Sequence, residues 1–309
     1  MVVLDKLTYS GNLDNLREAS PDRHTFIRGD ICDPISVANA MKGCDAVVHF
    51  AAESHVDRSL SGASDFIDTN IGGVNTILAQ ARACDMSRIL LVSTDEVYGS
   101  IEVGAFKESD PIHPRNPYSA SKAGGELFGT AYYESYGLPV IITRGSNTYG
   151  PYQYPEKVLP LFITNALDGE PLPLYGDGKN VRDWLFVDDH CSGIDHALRR
   201  GAPGRKYNIA GGAERQNIEL TRKVLELLDA PESLIRPVKD RVGHDRRYAI
   251  DDTELRALGW APAMSWEEGM AYTVNWYQEN EWWWRKIKSG EFKAYYERQY
   301  GHLLTTPDP

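Results

Sequence analysis

Short apolar, β-branched runs alternate with stretches of helical spacing through the first half of this chain, and no other feature limits its fold as strongly. Residues 2–4, 25–28, 46–50, 88–93 and 139–144 read as strands. Residues 34–41, 67–83 and 118–136 read as helices. Strands alternating with helices predict βαβ units and a mainly parallel sheet. The strand runs are apolar throughout instead of alternating with polar residues, as in strands covered on both faces. The expected fold class is therefore α/β, with a doubly wound sheet.

After Gly150 the alternation weakens, Pro and Gly become frequent and aromatics cluster. This predicts two units: a Rossmann-type nucleotide-binding domain over 1–150 and a smaller substrate-binding lobe over 151–309. Short strands are expected at 182–187 and 206–209, and helices at 218–228 and 266–280, with at least one segment returning to the main sheet. Trp282-Trp283-Trp284 reads as packing. A nucleotide-binding sheet normally opens with a glycine-rich turn that presents a helix N-terminus to the pyrophosphate. No G-x-x-G-x-x-G precedes Asp5, and the chain opens on what such a sheet has as its second strand. Gly72-Gly73 and Gly124-Gly125 lie inside helices and do not substitute.

Composition removes several function classes. With 33 Lys+Arg against 44 Asp+Glu the net charge is −11, which argues against general binding of nucleic acid or an anionic membrane. A local basic pocket for an anionic small molecule stays open. The longest apolar runs, such as residues 89–92, fall far short of the roughly 20 residues of a membrane helix. Cys32, Cys44, Cys84 and Cys191 have no metal or redox spacing, so free thiols in a reducing cytoplasm and no metal site are expected. The first residues do not read as a signal peptide.

Two patterns carry chemistry. In Tyr118-Ser119-Ala120-Ser121-Lys122 the Tyr and Lys share one helix face. A nearby ammonium favours a phenolate and makes tyrosine usable as a base. Alone the spacing is weak, because surface Tyr/Lys pairs produce it too. Here it follows a strand ending in Ser93-Thr94, whose hydroxyls are placed to share a substrate oxygen. Thr94-Asp95-Glu96 lies at the carboxyl end of that strand, where open α/β sheets hold their ligands. Adjacent carboxyls in different surroundings can divide into acid and base; a solvated loop with two charges is the plainer alternative.

These residues, with the stretches around them, resemble the extended short-chain dehydrogenase/reductase family, and within it the dTDP-glucose 4,6-dehydratases. The matching stretches are residues 4–13, 29–31, 49–59, 92–99 and 118–122, then 147–152, 155–157, 173–178, 181–184, 243–248 and the tail at 289–301. The Thr-Asp-Glu triplet is the specific part, since epimerases and decarboxylases of the same fold carry other residues there. The resemblance implies an NAD-dependent enzyme. Tyr118 deprotonates the C4 hydroxyl while hydride leaves C4, Lys122 holds the phenolate and the nicotinamide ribose, and Thr94 bonds the C4 oxygen. Glu96 removes the C5 proton, Asp95 protonates the departing C6 hydroxyl, and hydride returns to C6. It further implies Asp5, Lys6, Thr8, Asp30, Ile31, Ala51, Ala52 and Ser54 along the cofactor. The nucleotide sugar falls to His55, Asn147, Glu156, Lys157, Pro173, Tyr175, Arg182, Asn217, Arg241 and His244. A homodimer through the helices at 67–83 and 118–136 is implied as well.

Two departures from the family stand out. Gly145 and Thr148 replace bulkier or amide side chains, and Gly145 is expected to loosen the nicotinamide wall. The missing glycine turn leaves the first strand with an open, apolar edge. Three readings follow: a dehydratase whose sequence here starts at an internal Met, a truncated non-catalytic nucleotide-sugar-binding remnant, or a related epimerase or decarboxylase.

Overall fold

Strand β4 (Arg88–Thr94) sits between β3 (Ala46–His49) and β5 (Val140–Gly145), and β5 pairs on its far side with β9 (Lys206–Ile209). All three ladders are parallel. The structure, a computed structural model, describes residues 1–301 and Leu304. Side chains alternate across the sheet. Ile89, Leu91, Val140 and Ile142 face α1 (Pro34–Met41), α4 (Val74–Ala83) and α5 (Pro117–Tyr136). Leu90, Ile141 and Ile209 face α7 (Val187–Arg200) and α9 (Thr253–Ala257). Both faces of β4 and β5 are therefore covered, as their unbroken apolar runs require. Strand β9 and helix α7 are parts of the second half of the chain that build onto this sheet.

Strands β1 (Val2–Asp5) and β2 (Thr25–Arg28) form a separate parallel pair. Leu4 of β1 and Val47 of β3 pack into the same apolar cluster. Among the described residues β1 pairs only with β2 and β3 only with β4, so the expected open edge is present on both.

The helix expected over 67–83 is interrupted. After α2 (Val56–Ser61) and α3 (Ser64–Ile67) comes a single wide turn at 68–73, and then α4. Gly72-Gly73 weakens the helix here, and Ile31 presses into the place that a Gly73 side chain would occupy. The turn aims Asn70 inward. Its amide bonds Glu53 N and O, both at 2.9 Å, and Ser121 Oγ at 2.8 Å, which ties the segment after β3 to α5.

The second core lies among α6 (Val158–Asp168), α8 (Asn217–Leu227), α10 (Trp266–Glu279), α11 (Glu281–Ile287) and α12 (Glu291–Tyr296). They pack with two small sheets. One joins β6 (Asn147–Tyr149), β8 (Val181–Phe186) and β10 (Glu214–Gln216); the other joins β7 (Leu172–Tyr175) and β11 (Ile235–Val238). Trp283 and Trp284 are fully buried there, and Trp284 Nε1 donates to Tyr277 O at 2.8 Å. No helix among the described residues is long and apolar enough to cross a membrane.

The two glycines of α5 set how closely it approaches the wide turn. A Cβ at Gly125 would lie 2.7 Å from the Asn70 carbonyl oxygen; one at Gly124 would meet only the tip of Ile71, at 2.8 Å. Replacing a helical Gly by Ala gains about 1 kcal/mol of helix propensity. Gly125→Ala should nevertheless destabilise by about 1–3 kcal/mol, because backbone cannot move aside. Gly124→Ala should stay within about 1 kcal/mol of the parent, since a side-chain tip can swing away. Urea midpoints of the two variants test this, and equal shifts would mean that α5 does not rest on that carbonyl.

Candidate active site

Strand β4 ends in the hydroxyl pair Ser93-Thr94, and the next four residues form a short 3₁₀ turn, Asp95–Tyr98. Thr94 caps it: Oγ1 accepts Glu96 N and donates to Asp95 Oδ1, both at 3.2 Å. Asp95 is 3% exposed, and its Oδ2 has no partner among the described residues. Burial first, then the charges of Glu96 and Asp183, hold its carboxyl well above the usual carboxylate range. Asp183 is itself a well-served acceptor, taking bonds from Ser146 Oγ at 2.6 Å and from Gly211 N and Ala213 N at 2.7 Å.

Helix α5 delivers Tyr118 to this turn. Asn116 caps the helix, accepting Ser119 N at 2.9 Å, and Pro117 suits the first helical position. The Asn116 amide also reaches Glu96 Oε2 at 3.5 Å. Tyr118 is buried and hydrogen-bonded to Thr94. Lys122, one turn on, donates to Val92 O at 2.7 Å. The lowered Tyr118 pKa expected from Lys122 is not produced by the chain's own groups. Burial and then Glu96 push the phenol up, with the Thr94 hydrogen bond acting against them. Lys122 is brought down to about 8 by burial, opposed by Glu126. Thr94, Asp95, Glu96 and Tyr118 thus meet at one strand end, with Lys122 behind them.

Asp5, Lys6 and Asp30 gather at the carboxyl end of β1 and β2. Asp5 Oδ1 accepts Leu7 N at 2.6 Å, and Oδ2 has no partner among the described residues. Lys6 pairs with Asp30 at 2.6 Å. Thr8 is exposed in the following turn. Ile31 is in the core between α1 and the wide turn. Ala51 and Ala52 are half-buried beyond β3, and the exposed Ser54 offers its carbonyl to Lys157 at 2.6 Å. One acidic strand end with an unspent oxygen, followed by small side chains along the crevice, suits a dinucleotide's adenosine ribose and its middle.

The second half of the chain contributes a basic wall. Arg182 is buried on β8, bonded to Val181 O at 2.7 Å and Asp245 O at 3.0 Å, with its guanidinium 4.2 Å from the Tyr248 ring centre. Arg241 lies 3.5 Å from Asp57, and the Tyr175 hydroxyl donates to the same carboxylate at 3.1 Å. His244 Nδ1 is 2.6 Å from Asp240; burial, then Arg241 and Arg182, hold its imidazole down at about 4. Arg182 and Arg241 both feel the charge of Glu96, so this wall faces the Thr94–Tyr118 cluster. Asn147 Oδ1 is buried with no partner among the described residues.

The remaining expected ligands have contacts within the protein. Glu156 spends both carboxylate oxygens, on Tyr9 OH at 2.8 Å and Arg58 Nε at 2.9 Å. His55 is buried between the Glu156 carbonyl and Tyr295. Pro173 is buried in the β7–β11 ladder, and Asn217 opens α8 with its N–H on Asn180 O at 3.0 Å. Gly145 does not leave a gap. The His190 imidazole fills the space, with Nε2 2.5 Å from where a Cβ would stand, and Thr148 Oγ1 holds its Nδ1 at 2.7 Å. Gly145 and Thr148 are thus one feature, joined by His190. Sequence reasoning missed Asn116, although Asn-Pro before a helix is a cap signal. It also missed Arg58 and Asp183, which lie inside stretches already singled out, and His190, which no local pattern marks.

The GDP-mannose 4,6 dehydratase family model matches residues 1–273. A dTDP-glucose 4,6-dehydratase of Actinoplanes sp. is 50% identical over 92% of this chain and 89% of its own. One from Streptomyces griseus is 51% identical over 93% and 88%. The crystal structure of DesIV, a dTDP-glucose 4,6-dehydratase from Streptomyces venezuelae with NAD bound, superposes with a TM-score of 0.91 at 53% identity, covering 93% of this chain and 90% of that one. A UDP-glucose 4-epimerase of Thermus thermophilus shares the fold at 30% identity and a TM-score of 0.84, covering 90% and 91%. The chain belongs to the GDP-mannose 4,6 dehydratase family and stands within it among the dTDP-glucose 4,6-dehydratases.

Proposed function

We infer that this protein catalyses the NAD-dependent dehydration of dTDP-glucose to dTDP-4-keto-6-deoxyglucose. The observation that carries the reading is the meeting of Thr94, Asp95 and Glu96 with Tyr118 at the end of β4, opposite a basic wall. Bound NAD supplies the hydride acceptor and donor. The residues that would hold it are Asp5, Lys6, Thr8 and Asp30 at the adenosine end, with Ile31 behind them, Ala51, Ala52 and Ser54 at its middle, and Tyr118 and Lys122 at the nicotinamide ribose.

Tyr118 takes the proton of the C4 hydroxyl, and Thr94 hydrogen-bonds the same oxygen. The resulting 4-keto group acidifies C5–H, and Glu96 removes that proton. Burial and two neighbouring carboxylates disfavour the charge of Asp95 and favour its protonated form, which suits it to give a proton to the departing C6 hydroxyl. Glu96 then returns a proton to C5. The Glu96 base and the Asp95 acid are each worth typically about 10²–10⁴-fold. Arg182, Arg241 and His244 are assigned to the diphosphate, which Arg forks suit. Asn147, Asn217, Lys157, Pro173 and Tyr175 are assigned to the rest of the nucleotide sugar. His55 and Glu156 shape that pocket through the Arg58 network.

Two further assignments accompany this reading. One is a homodimer: Leu127, Phe128 and Tyr136 on α5 and Ile67 at the end of α3 are exposed large apolar side chains on neighbouring helices. The other is a cytoplasmic location, supported by four free cysteines.

Tyr118→Phe should abolish C4 oxidation, followed as loss of water from dTDP-glucose by mass spectrometry; activity within about tenfold of the parent would overturn the assignment of the base. Glu96→Gln should slow exchange of the C5 proton in deuterated water by at least about 100-fold and change dTDP-glucose affinity little. Unchanged exchange removes Glu96 from that role, and a product of unchanged mass favours an epimerase. Leu127→Asp should halve the mass measured by sedimentation if α5 lines the dimer contact.

A further inference from the structure

The arginines around the crevice differ in what they have left to donate. Arg182 commits its terminal nitrogens to the Val181 and Asp245 carbonyls, and Arg58 commits Nε to Glu156. Arg241 commits none. Among the described residues its guanidinium makes no hydrogen bond and one ion pair, with Asp57, where Nη1 stands 3.5 Å from Oδ1. That distance gives strong attraction without a hydrogen bond, and Oδ1 is buried with no hydrogen-bond partner among the described residues. A buried pair elsewhere in the chain closes up fully. Arg144 on β5 donates to Glu126 on α5 from Nε at 3.1 Å and from Nη2 at 2.6 Å.

Asp57 is itself fixed. It lies in the first turn of α2, is 6% exposed, and its Oδ2 accepts the Tyr175 hydroxyl at 3.1 Å. Gln299 Nε2 donates to that hydroxyl, also at 3.1 Å, so the phenol proton is directed at Asp57. Tyr175 ends β7 opposite Val238 at the end of β11, and Arg241 follows three residues on. Tyr175 and Arg241 therefore leave neighbouring strand ends, and one carboxylate from the first half of the chain reaches both. A phenol needs only an acceptor, which an amide also offers. A charge at residue 57 has its reason in Arg241, which is 20% exposed and so needs a nearby anion. Arg182 feels Arg241 as a like charge, which acts against its staying in the wall.

We propose that Asp57 is a positioning residue for the diphosphate: its charge holds the Arg241 guanidinium in the wall and leaves the donor fork free for phosphate oxygens. This rests on the assignment of Arg241 to the diphosphate made above. An arginine held in advance loses less rotamer freedom when the ligand arrives. The field of Asp57 works the other way, because a carboxylate beside an anion's site repels the anion. Removing the charge therefore weakens binding if Asp57 positions Arg241 and tightens it if the field is all that matters.

The test is a calorimetric titration of the full chain with dTDP, in the parent, Asp57→Asn, Arg241→Gln and the double variant. Asparagine keeps the shape and an acceptor for Tyr175 and removes the charge. Asp57→Asn should weaken dTDP binding about three- to tenfold. In the Arg241→Gln background it should add nothing, since it acts through Arg241. Tighter or unchanged binding by Asp57→Asn overturns the proposal. A loss that persists without Arg241, as general loosening of the lobe would give, overturns it too, and so does an Arg241→Gln chain that binds dTDP like the parent. If Asp57→Asn does not fold, the parent decides by NMR of the Arg241 Nε–H, assigned from its absence in Arg241→Gln. That group should be as rigid in the free chain as with dTDP bound; a side chain that orders only when dTDP binds overturns the proposal. The titrations need neither NAD nor turnover. Binding losses as expected without any loss of water from dTDP-glucose sustain the proposal and sink the dehydratase reading. Loss of water by the parent with unchanged dTDP affinity in Asp57→Asn does the reverse.

Discussion

Strand β4 is hydrogen-bonded on both edges and covered on both faces, and between Arg88 at its start and Thr94 at its end it carries no charged side chain. It leaves the sheet at Thr94, and two reactive side chains, Asp95 and Glu96, follow within one turn. Their placement depends on that constraint. The 3₁₀ turn is short because Thr94 caps it immediately, and Asp95 is driven inward where Glu96 is not. Two neighbouring carboxyls thereby acquire different proton affinities without any special residue type. The parallel register does the rest, since β5 runs beside β4 and ends opposite it, Gly145 facing Thr94.

Three buried carboxylates near this edge each have a specific answer to their charge. Asp183 has two backbone N–H groups and a hydroxyl, Glu126 has a forked guanidinium, and Glu156 has an arginine and a phenol. Asp95 has only Thr94, and it is the carboxyl whose surroundings favour a proton. In a low-dielectric edge, the group left with the fewest partners is the one free to exchange a proton. The same comparison separates Lys122, which has one carbonyl, from Arg182, which has two carbonyls and an aromatic face.

The alternation of strands and helices, the Tyr118–Lys122 helix and the Thr94–Glu96 turn were legible in the sequence because each depends on local spacing. The interruption at 68–73 was half legible: Gly72-Gly73 announces a weak helix, but only the approach of Ile31 and α5 explains a widened turn there. Side chains whose role depends on a distant partner were not legible. Glu156 reads as a ligand until Tyr9 and Arg58, 147 and 98 residues away, take both its oxygens. Gly145 reads as a hole until His190 fills it. Spacing along a chain fixes which face a residue occupies; it does not reveal what the other elements bring to that face.

The segment after β1 shows how far such distant contacts reach. Residues 6–24 carry only two short 3₁₀ turns, yet they lead away from the carboxylate assigned to the cofactor. What orders them comes from the other end of the chain. Asn15 accepts Trp283 Nε1 at 2.9 Å, Asp14 pairs with Lys286, and Arg17 lies over Trp282 at 4.9 Å. Tyr9 packs edge-on against Tyr154, and the Arg58 guanidinium is sandwiched between the Tyr9 and Tyr295 rings, 3.8 and 4.2 Å from their centres. The tryptophan run is thus packing, and part of what it packs is the loop beside Asp5. A loop without regular structure loses conformational entropy when it is ordered, and here these contacts offset that cost. The loop after β1 and the helical second core are therefore physically joined: what loosens α11 also loosens the loop that follows Asp5.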